Sequence, residues 1–429
     1  MPLLQKEIQK AGSRMINKTK QTIEGVPVLI PQALAERYGW QGGEMLQLQE
    51  NGDHLKVLPP VSRLRKVYVE ATNVCNLACV MCIRNIWEES SGFMEEAIFQ
   101  KILDGIEILS PPPTIFFGGF GEPLAHPQIV DMVAAAKKVS ARVELITNAT
   151  LLTPERSRQL IQAGLDTLWI SLDEINPESY ADIRLGAKLP KVLENIQTFQ
   201  RLRPPAHLPH PQIGIVFVAM RRNIADLPEL YHWQKRLGAR QVLVTNVLPY
   251  SVEMLHESLY ARALHEPLYI ASPWVPELDF PRIEFDSLTV KPFIETLRSG
   301  FNTSWGGVNL STASDWCPFI QRGSVSIAWH GGLSPCLPLL HDHTSYLAED
   351  RPRFSKAYFV GSLKENALLE LWEKSDYLAF REKVQRFDFA PCAVCGGCDL
   401  SLENREDCYG NTFPTCGGCL YAQGIVRCP

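Results

Sequence analysis

The chain has 429 residues, 45% of them hydrophobic, and a formal net charge of −5 at pH 7. That length allows two or three domains with a sizeable core, and the mild acidity argues against a global electrostatic grip on nucleic acid. No apolar run approaches the roughly 18 residues of a membrane span, and Met1–Lys20 lacks the apolar stretch of a signal peptide, so the sequence reads as cytoplasmic.

Residues 1–62 read as short strands and turns around one helix. Val26–Ile30 is strand-like, and Pro31 suits the first turn of a helix through Leu34 and Tyr38. Gly42-Gly43 breaks the chain before the alternating Met45–Gln49. Asn51-Gly52-Asp53 signals a hairpin turn into His54–Val57, and Pro59-Pro60 marks a linker. The series Gly25, Ile30-Pro31, Leu34, Gly39, Gly43 and Gly52-Asp53 resembles the AbrB-like swapped-hairpin module, a fold that interlocks two copies and often binds DNA. The segment carries no dense basic run, which favours homodimerisation or partner docking over DNA.

From 63 to 250, strands alternate with helices. Val67–Ala71, Thr114–Phe117, Arg142–Thr147, Thr167–Leu172, Ile213–Met220 and Gln241–Asn246 are short runs rich in Val, Ile, Leu and Phe. Helical patterns lie between most of them: Glu95–Leu109, with Ile98, Ile102, Ile106 and Leu109 on one face, then His126–Val139 and Pro154–Ala163. The alternation predicts an α/β fold of parallel strands joined by right-handed crossovers. Six units are too few for an eightfold barrel and fit an open, partial (β/α)6 TIM-like barrel. Residues 251–314 read as a helical connector with loops. Residues 315–429 are rich in Cys and Gly with little periodicity, and so little apolar core implies that metal clusters hold them.

The chain has twelve cysteines, placed as three near residue 80 and nine from 317 to 428. In a cytosolic chain such grouping points to metal rather than disulfides. Cys75-x3-Cys79-x2-Cys82 follows the first barrel strand. Three thiolates hold three irons of a cubane and leave the fourth open; the competing reading is half of a zinc site. Gly118-Gly119-Phe120-Gly121-Glu122-Pro123 follows the second strand, where glycines let backbone approach a ligand closely.

Together these segments resemble the radical S-adenosylmethionine superfamily. The resemblance implies a [4Fe–4S] cluster with an open iron that chelates S-adenosylmethionine. It also implies reductive cleavage to methionine and a 5′-deoxyadenosyl radical, with reduced ferredoxin or flavodoxin as electron donor. Gly118, Gly119, Gly121 and Glu122 would receive the cofactor's amino group. Met81 stands where the family has an aromatic residue, and its polarizable side chain suits packing against adenine. Strand ends at Thr147-Asn148, Ser171–Asp173 and Thr245-Asn246 place polar residues where barrel sites lie. By the same resemblance Ser171, Asp173 and Asn148 contact the cofactor's ribose or carboxylate, and each alone also fits a strand cap or turn.

Cys317-x13-Gly331-x4-Cys336 resembles the opening of the SPASM module, which carries auxiliary [4Fe–4S] clusters. Cys392, Cys395, Cys398, Cys408, Cys416, Cys419 and Cys428 depart from that module's later spacing, so ligands stay unassigned to individual clusters. Nine thiols suffice for two auxiliary clusters with one to spare, and two four-cysteine zinc sites would use the same count. His341 and His343 fit a polar loop as well as ligation. Cys336-Leu-Pro-Leu-Leu-His341, Cys395-Gly-Gly-Cys398-Asp-Leu and Pro414-Thr-Cys416-Gly-Gly-Cys419 resemble the radical maturases of tungsten-cofactor oxidoreductases. That resemblance implies an enzyme of anaerobic metabolism acting on a tungsten-dependent oxidoreductase or its pterin cofactor. The rival readings are a SPASM maturase of peptide or protein side chains and, in another class, an iron–sulfur DNA-binding redox regulator. A regulator has no need of the glycine-rich cofactor cradle.

Overall fold

The computed structural model describes residues 30–38, 46–51, 54–58, 60–174, 177–205, 210–260, 277–297, 302–305, 308–309, 316–395 and 398–429. The chain divides into two compact units, residues 1–47 and 48–429. In the first, a helix spans Gln32–Tyr38 and opens with Leu34 N–H donating to the Pro31 carbonyl at 2.9 Å. Residues 26–29 of the strand expected at Val26–Ile30 and the turn residues Gly25, Gly39, Gly42, Gly43, Gly52 and Asp53 lie outside the described residues. Strands β1 (Gln47–Asn51) and β2 (His54–Leu58) pair in a two-stranded sheet.

Six strands then follow in chain order, each parallel to the one before: β3 (Lys66–Val69), β4 (Thr114–Phe117), β5 (Val143–Thr147), β6 (Thr167–Ser171), β7 (Gln212–Ala219) and β8 (Ala239–Asn246). The helices Glu96–Glu107, Ile129–Val139, Pro154–Gln162, Leu189–Leu202 and Leu230–Leu237 lie between successive strands. Local chemistry fixes their starts. At Pro154, for example, the Thr153 hydroxyl accepts from Arg156 N–H at 3.2 Å, and proline occupies the position that needs no donor.

Side chains alternate across each strand. One set, including Val67, Val69, Ile115, Phe117, Leu168 and Ile170, packs under the helices with Ile98, Ile102, Ile106, Val133, Leu160 and Phe199. The other set, Tyr68, Phe116, Trp169 and Val216, lines the concave face of the sheet. Gly214 of β7 makes room there, because a Cβ would fall 2.3 Å from the Trp169 ring.

The concave set does not face solvent. It packs on Phe319, Ile320, Leu337 and Leu340 from the cysteine-rich segment. That segment also extends the sheet: β12 (Ser324–Ile327) pairs parallel with β3, and β13 (Gly332–Ser334) and β16 (Gly361–Ser362) add antiparallel beyond it. The expectation that residues 315–429 lack an apolar core is therefore corrected. Val325, Ile327, Leu333, Leu363, Leu368, Leu371 and Trp372 are buried within the main core. Strands of two to four residues are too short to show a period, which hid this core in the sequence. β14 (His343–Ala348) and β15 (Arg351–Ser355) form a separate antiparallel pair.

The last residues cross the concave face from β8 toward β3. Asn246 Nδ2 donates to the Ile425 carbonyl at 2.9 Å, Arg427 N–H to Thr245 Oγ1 at 2.7 Å, and Lys66 Nζ and Tyr68 Oη to the Pro429 carbonyl at 2.9 and 2.6 Å. Residues 251–314 are less helical than expected. Their described part holds the helices Val252–His256 and Val290–Leu297 and a three-stranded sheet of β9 (Glu277–Phe280), β10 (Asn302–Trp305) and β11 (Val308–Asn309).

Candidate active site

The cysteine loop leaves the C-terminal end of β3, where sites in such barrels lie. Its neck is closed by side chains that stand in for a sheet ladder. The Thr72 hydroxyl donates to the Gly92 carbonyl at 2.6 Å, Asn73 Nδ2 donates to the Ser90 carbonyl at 3.0 Å, and Asn73 Oδ1 accepts from Gly92 N–H at 2.8 Å. Inside the neck, Ala78 N–H and Val80 N–H donate to the Leu185 and Ile183 carbonyls at 3.2 and 3.0 Å. Asn85 Nδ2 ties the turn by donating to the Cys79 carbonyl at 2.8 Å. Met81 packs with Val80 and Val218 against Ile183, Met220 and Val247.

Cys75, Cys79 and Cys82 are all partly exposed on this loop. Burial pushes their thiols up, that of Cys79 to about 11, and Arg184 opposes the shift. Two donors approach the sulfurs: Arg184 Nη1 lies 3.9 Å from Cys79 Sγ and Asn148 Nδ2 lies 3.9 Å from Cys75 Sγ. Such groups favour thiolate over thiol. Three half-buried thiols with cationic and amide donors beside them fit ligation by three thiolates.

The glycine-rich segment after β4 runs against this loop. Gly118 N–H donates to the Val69 carbonyl at 3.0 Å and Glu122 N–H to the Val74 carbonyl at 2.8 Å. A Cβ on Gly121 would stand 2.1 Å from the Thr72 carbonyl oxygen, and one on Gly119 would stand 2.7 Å from Glu70 Cγ. The close approach itself demands glycine here. Gly118 is packed similarly, against the Phe116 ring and Ile146.

Two carboxylates named from the sequence are already engaged by the protein. Glu122 accepts from Leu124 N–H at 3.0 Å, Thr147 Oγ1 at 2.7 Å and Asn148 N–H at 2.8 Å, so it pins the end of β5 to the glycine segment. Burial raises its pKa, and those three bonds pull the other way. Asp173, 0% exposed, pairs with Arg184 and accepts from Val218 N–H at 2.9 Å. Both carboxylates are thus held by partners within the protein. Asn148 is also occupied, since its Nδ2 donates to Asn76 Oδ1 at 3.1 Å and its Oδ1 accepts from Thr150 N–H at 2.9 Å. Ser171 ends β6 half-buried, and Thr245 Oγ1 accepts from Arg427 N–H, away from this loop.

A buried network beside the glycine segment was not legible in the sequence. Glu70 and His341 are each 1% exposed. His341 Nε2 lies 3.0 Å from both Glu70 oxygens, and its Nδ1 lies 2.6 Å from Glu89 Oε2. Glu70 Oε1 also accepts from Phe120 N–H at 3.1 Å, while Trp87 packs 4.1 Å from the imidazole. Burial disfavours the imidazolium, but the two carboxylates outweigh it and raise the pKa of His341. The residue therefore joins β3, the cysteine loop and the C-terminal segment; its ring nitrogens are taken, so it is not a metal ligand. His343 Nδ1 in turn lies 3.0 Å from the His341 carbonyl.

The C-terminal cysteines sort into groups. Cys317, Cys336, Cys416 and Cys419 line one cavity of about 70 Å³ together with Arg353. Burial pushes Cys317 to about 12 and, with the neighbouring thiols, drives Cys336 and Cys416 well up. Two buried thiols, Cys317 and Cys336, and two half-buried ones, Cys416 and Cys419, thus face one space, as ligands of a shared cluster would. Cys392 shares an electrostatic neighbourhood with Arg353, Asp407, Cys408 and Cys395, and Cys398 lies close by in sequence. Cys428 is hydrogen-bonded to Tyr421 near Lys66, Arg322 and Cys419, with burial raising it to about 11. Among the described residues no three Cys, His, Asp or Glu side chains gather around a point where one metal ion would sit, at Cys75, Cys79 and Cys82 as at the C-terminal cysteines.

A parallel partial barrel with three cysteines after its first strand, a glycine segment after its second and a cysteine-rich domain against its concave face defines a radical S-adenosylmethionine enzyme. Residues 69–233 match the radical SAM superfamily, and residues 317–399 match SPASM, an iron–sulfur cluster-binding domain. The chain belongs to the family of the tungsten-containing aldehyde ferredoxin oxidoreductase cofactor-modifying protein. It is 32% identical to that protein from Pyrococcus furiosus over 371 residues, 85% of this chain and 97% of the relative. It is 28% identical to the PqqA peptide cyclase of Gluconobacter oxydans over 45% of this chain and 51% of the relative. The solved structure of native anSMEcpe with bound AdoMet shares the fold, with a TM-score of 0.50, 16% identity and coverage of 79% of this chain and 88% of the other. The family uses a [4Fe–4S] cluster and S-adenosylmethionine, and its SPASM domain binds iron–sulfur clusters. No helix among the described residues is long and apolar enough to cross a membrane.

Proposed function

We propose that this enzyme modifies the cofactor of a tungsten-containing oxidoreductase by radical chemistry. The observation that carries the reading is the 32% identity that runs through 97% of the cofactor-modifying relative. When bound, the cluster supplies the electron that splits the C–S bond of S-adenosylmethionine. Cys75, Cys79 and Cys82 hold that cluster, with Arg184 and Asn148 supporting the thiolates from 3.9 Å. The backbone of Gly118–Gly121 receives the amino group of S-adenosylmethionine, Met81 offers adenine an apolar surface, and Ser171 faces the ribose or carboxylate. Glu122 and Asp173 hold these groups in place.

Cys317, Cys336, Cys416 and Cys419 ligate one auxiliary cluster, because they share one cavity. Cys392, Cys395, Cys398 and Cys408 ligate the second, which leaves Cys428 as the ninth thiol. Residues 1–62 serve as a docking or dimerising module, and a reduced ferredoxin or flavodoxin donates the electron. The likeness to a peptide cyclase over 45% of the chain supports a second reading, modification of a protein side chain.

One experiment separates the two. A tungsten-dependent oxidoreductase is produced with and without this enzyme, and its activity, metal content, cofactor mass and polypeptide mass are compared. The proposal expects activity and a changed cofactor mass only with the enzyme present. A changed polypeptide mass with an unchanged cofactor supports the second reading, and identical preparations refute both.

A further inference from the structure

A cavity of about 610 Å³ lies directly beyond the cysteine loop. Trp87, Glu88 and Glu89 form one wall, continuing the chain from Cys82. Tyr346 and Phe354 from the β14–β15 pair, with Tyr250 from beyond β8, line it from other elements. Asp342 adds a third carboxylate, and the lining contains no lysine or arginine. The cavity also sits next to the chemistry, since Tyr250 lies within electrostatic reach of Cys82.

The first wall is set before any ligand arrives. Glu89 is held by His341 at 2.6 Å, Trp87 packs on the same imidazole at 4.1 Å, and His341 is fixed from behind by the buried Glu70 at 3.0 Å. Side chains locked in this way lose little freedom on binding. Four aromatic rings offer faces for offset stacking. Carboxylates are acceptors only and suit a ligand edge that presents two N–H donors side by side. The same three charges, all on exposed residues, disfavour an anion at the cavity.

We infer that this cavity is the substrate site, and that the group entering it is a planar 2-amino-4-oxopyrimidine ring, as in a pterin or a purine, rather than a phosphate or another anion. The inference rests on the proposed action on a tungsten cofactor and adds which end of that cofactor is presented. An anionic portion stays outside, at the open rim, while the ring sits between Trp87 and the tyrosines with its donor edge toward Glu88 and Glu89.

Fluorescence titration of the anaerobically reconstituted full chain tests this with free pterin, pterin-6-carboxylate, guanosine and an arginine-containing peptide as probes. Saturable quenching of pterin is expected, with pterin-6-carboxylate at least about tenfold weaker because it adds one negative charge. Glu88→Gln, at an exposed position that does not threaten folding, and Tyr346→Ala should each weaken pterin by about tenfold. Pterin and guanosine carry the same edge, so the tighter of the two names the source of the ring and either supports the ring class. Equal affinity for pterin-6-carboxylate, insensitivity to both variants, or preference for the peptide overturns the inference. If the two variants mature the partner oxidoreductase as well as wild type does, the cavity assignment falls while the proposed function stands. If pterin binds as expected but the partner is never altered, the proposed function falls instead.

Discussion

Arg184 is the residue on which stability and cluster chemistry separate most clearly. Asp173 is 0% exposed, and Arg184 is its ionic partner among the described residues, alongside the Val218 N–H bond at 2.9 Å. Arg184→Met removes that partner and strands a buried carboxylate, an effect of about 3–5 kcal/mol. For a large domain, that corresponds to a fall in melting temperature of roughly 6–20 °C. Adding Asp173→Leu removes the stranded charge, and the double variant should regain most of the loss, since apolar replacements of buried ion pairs cost about nothing. Cluster chemistry should not follow. Arg184 Nη1 is 3.9 Å from Cys79 Sγ and lowers the pKa of a thiol that burial still holds up at about 11. Both variants should therefore retain less iron at the cysteine loop than wild type and cleave S-adenosylmethionine more slowly. Thermal unfolding, iron content and 5′-deoxyadenosine release are measured on all four members of the cycle. The reasoning is refuted if the double variant is as unstable as Arg184→Met, or if restoring stability also restores iron and cleavage.

Gly121→Ala places a methyl group 2.1 Å from the Thr72 carbonyl oxygen; a loss of about 1–3 kcal/mol and a severe loss of S-adenosylmethionine cleavage are expected from unfolding and product assays. His341→Ala removes the partner of the buried Glu70 and of the exposed Glu89. Because those carboxylates raise the His341 pKa, its stabilisation is complete below the unfolded value of about 6.5 and fades as pH rises through the folded value. The gap in unfolding free energy between wild type and variant should thus be widest in mild acid and narrow toward alkaline pH. Anaerobic reconstitution should yield about 12 irons per chain, and Cys317→Ala with Cys336→Ala should remove about four of them; metal analysis decides between this and zinc.

The barrel was legible because the helices between its strands are long enough to carry a period and short apolar runs alternate with them. Thr114–Phe117 is both the expected and the observed strand, and the Ile98, Ile102, Ile106 face is the face that packs in the core. The cysteine loop was legible from spacing alone. What stayed hidden depends on contacts distant in sequence. Ser324–Ile327 joins β3 across more than two hundred residues, and nothing in a four-residue strand announces its neighbour. Glu70 and His341 form a pair separated by 271 positions. The bonds that fill the Glu122 and Asp173 oxygens likewise come from residues distant in sequence, Thr147, Asn148, Val218 and Arg184.

The central claim is that radical generation resides at Cys75, Cys79 and Cys82, independently of the C-terminal cysteines. The direct test replaces all three with alanine and measures methionine and 5′-deoxyadenosine after dithionite reduction, with iron content in parallel. The account predicts no 5′-deoxyadenosine and about eight irons retained in the C-terminal domain. Continued 5′-deoxyadenosine release by the triple variant would contradict it.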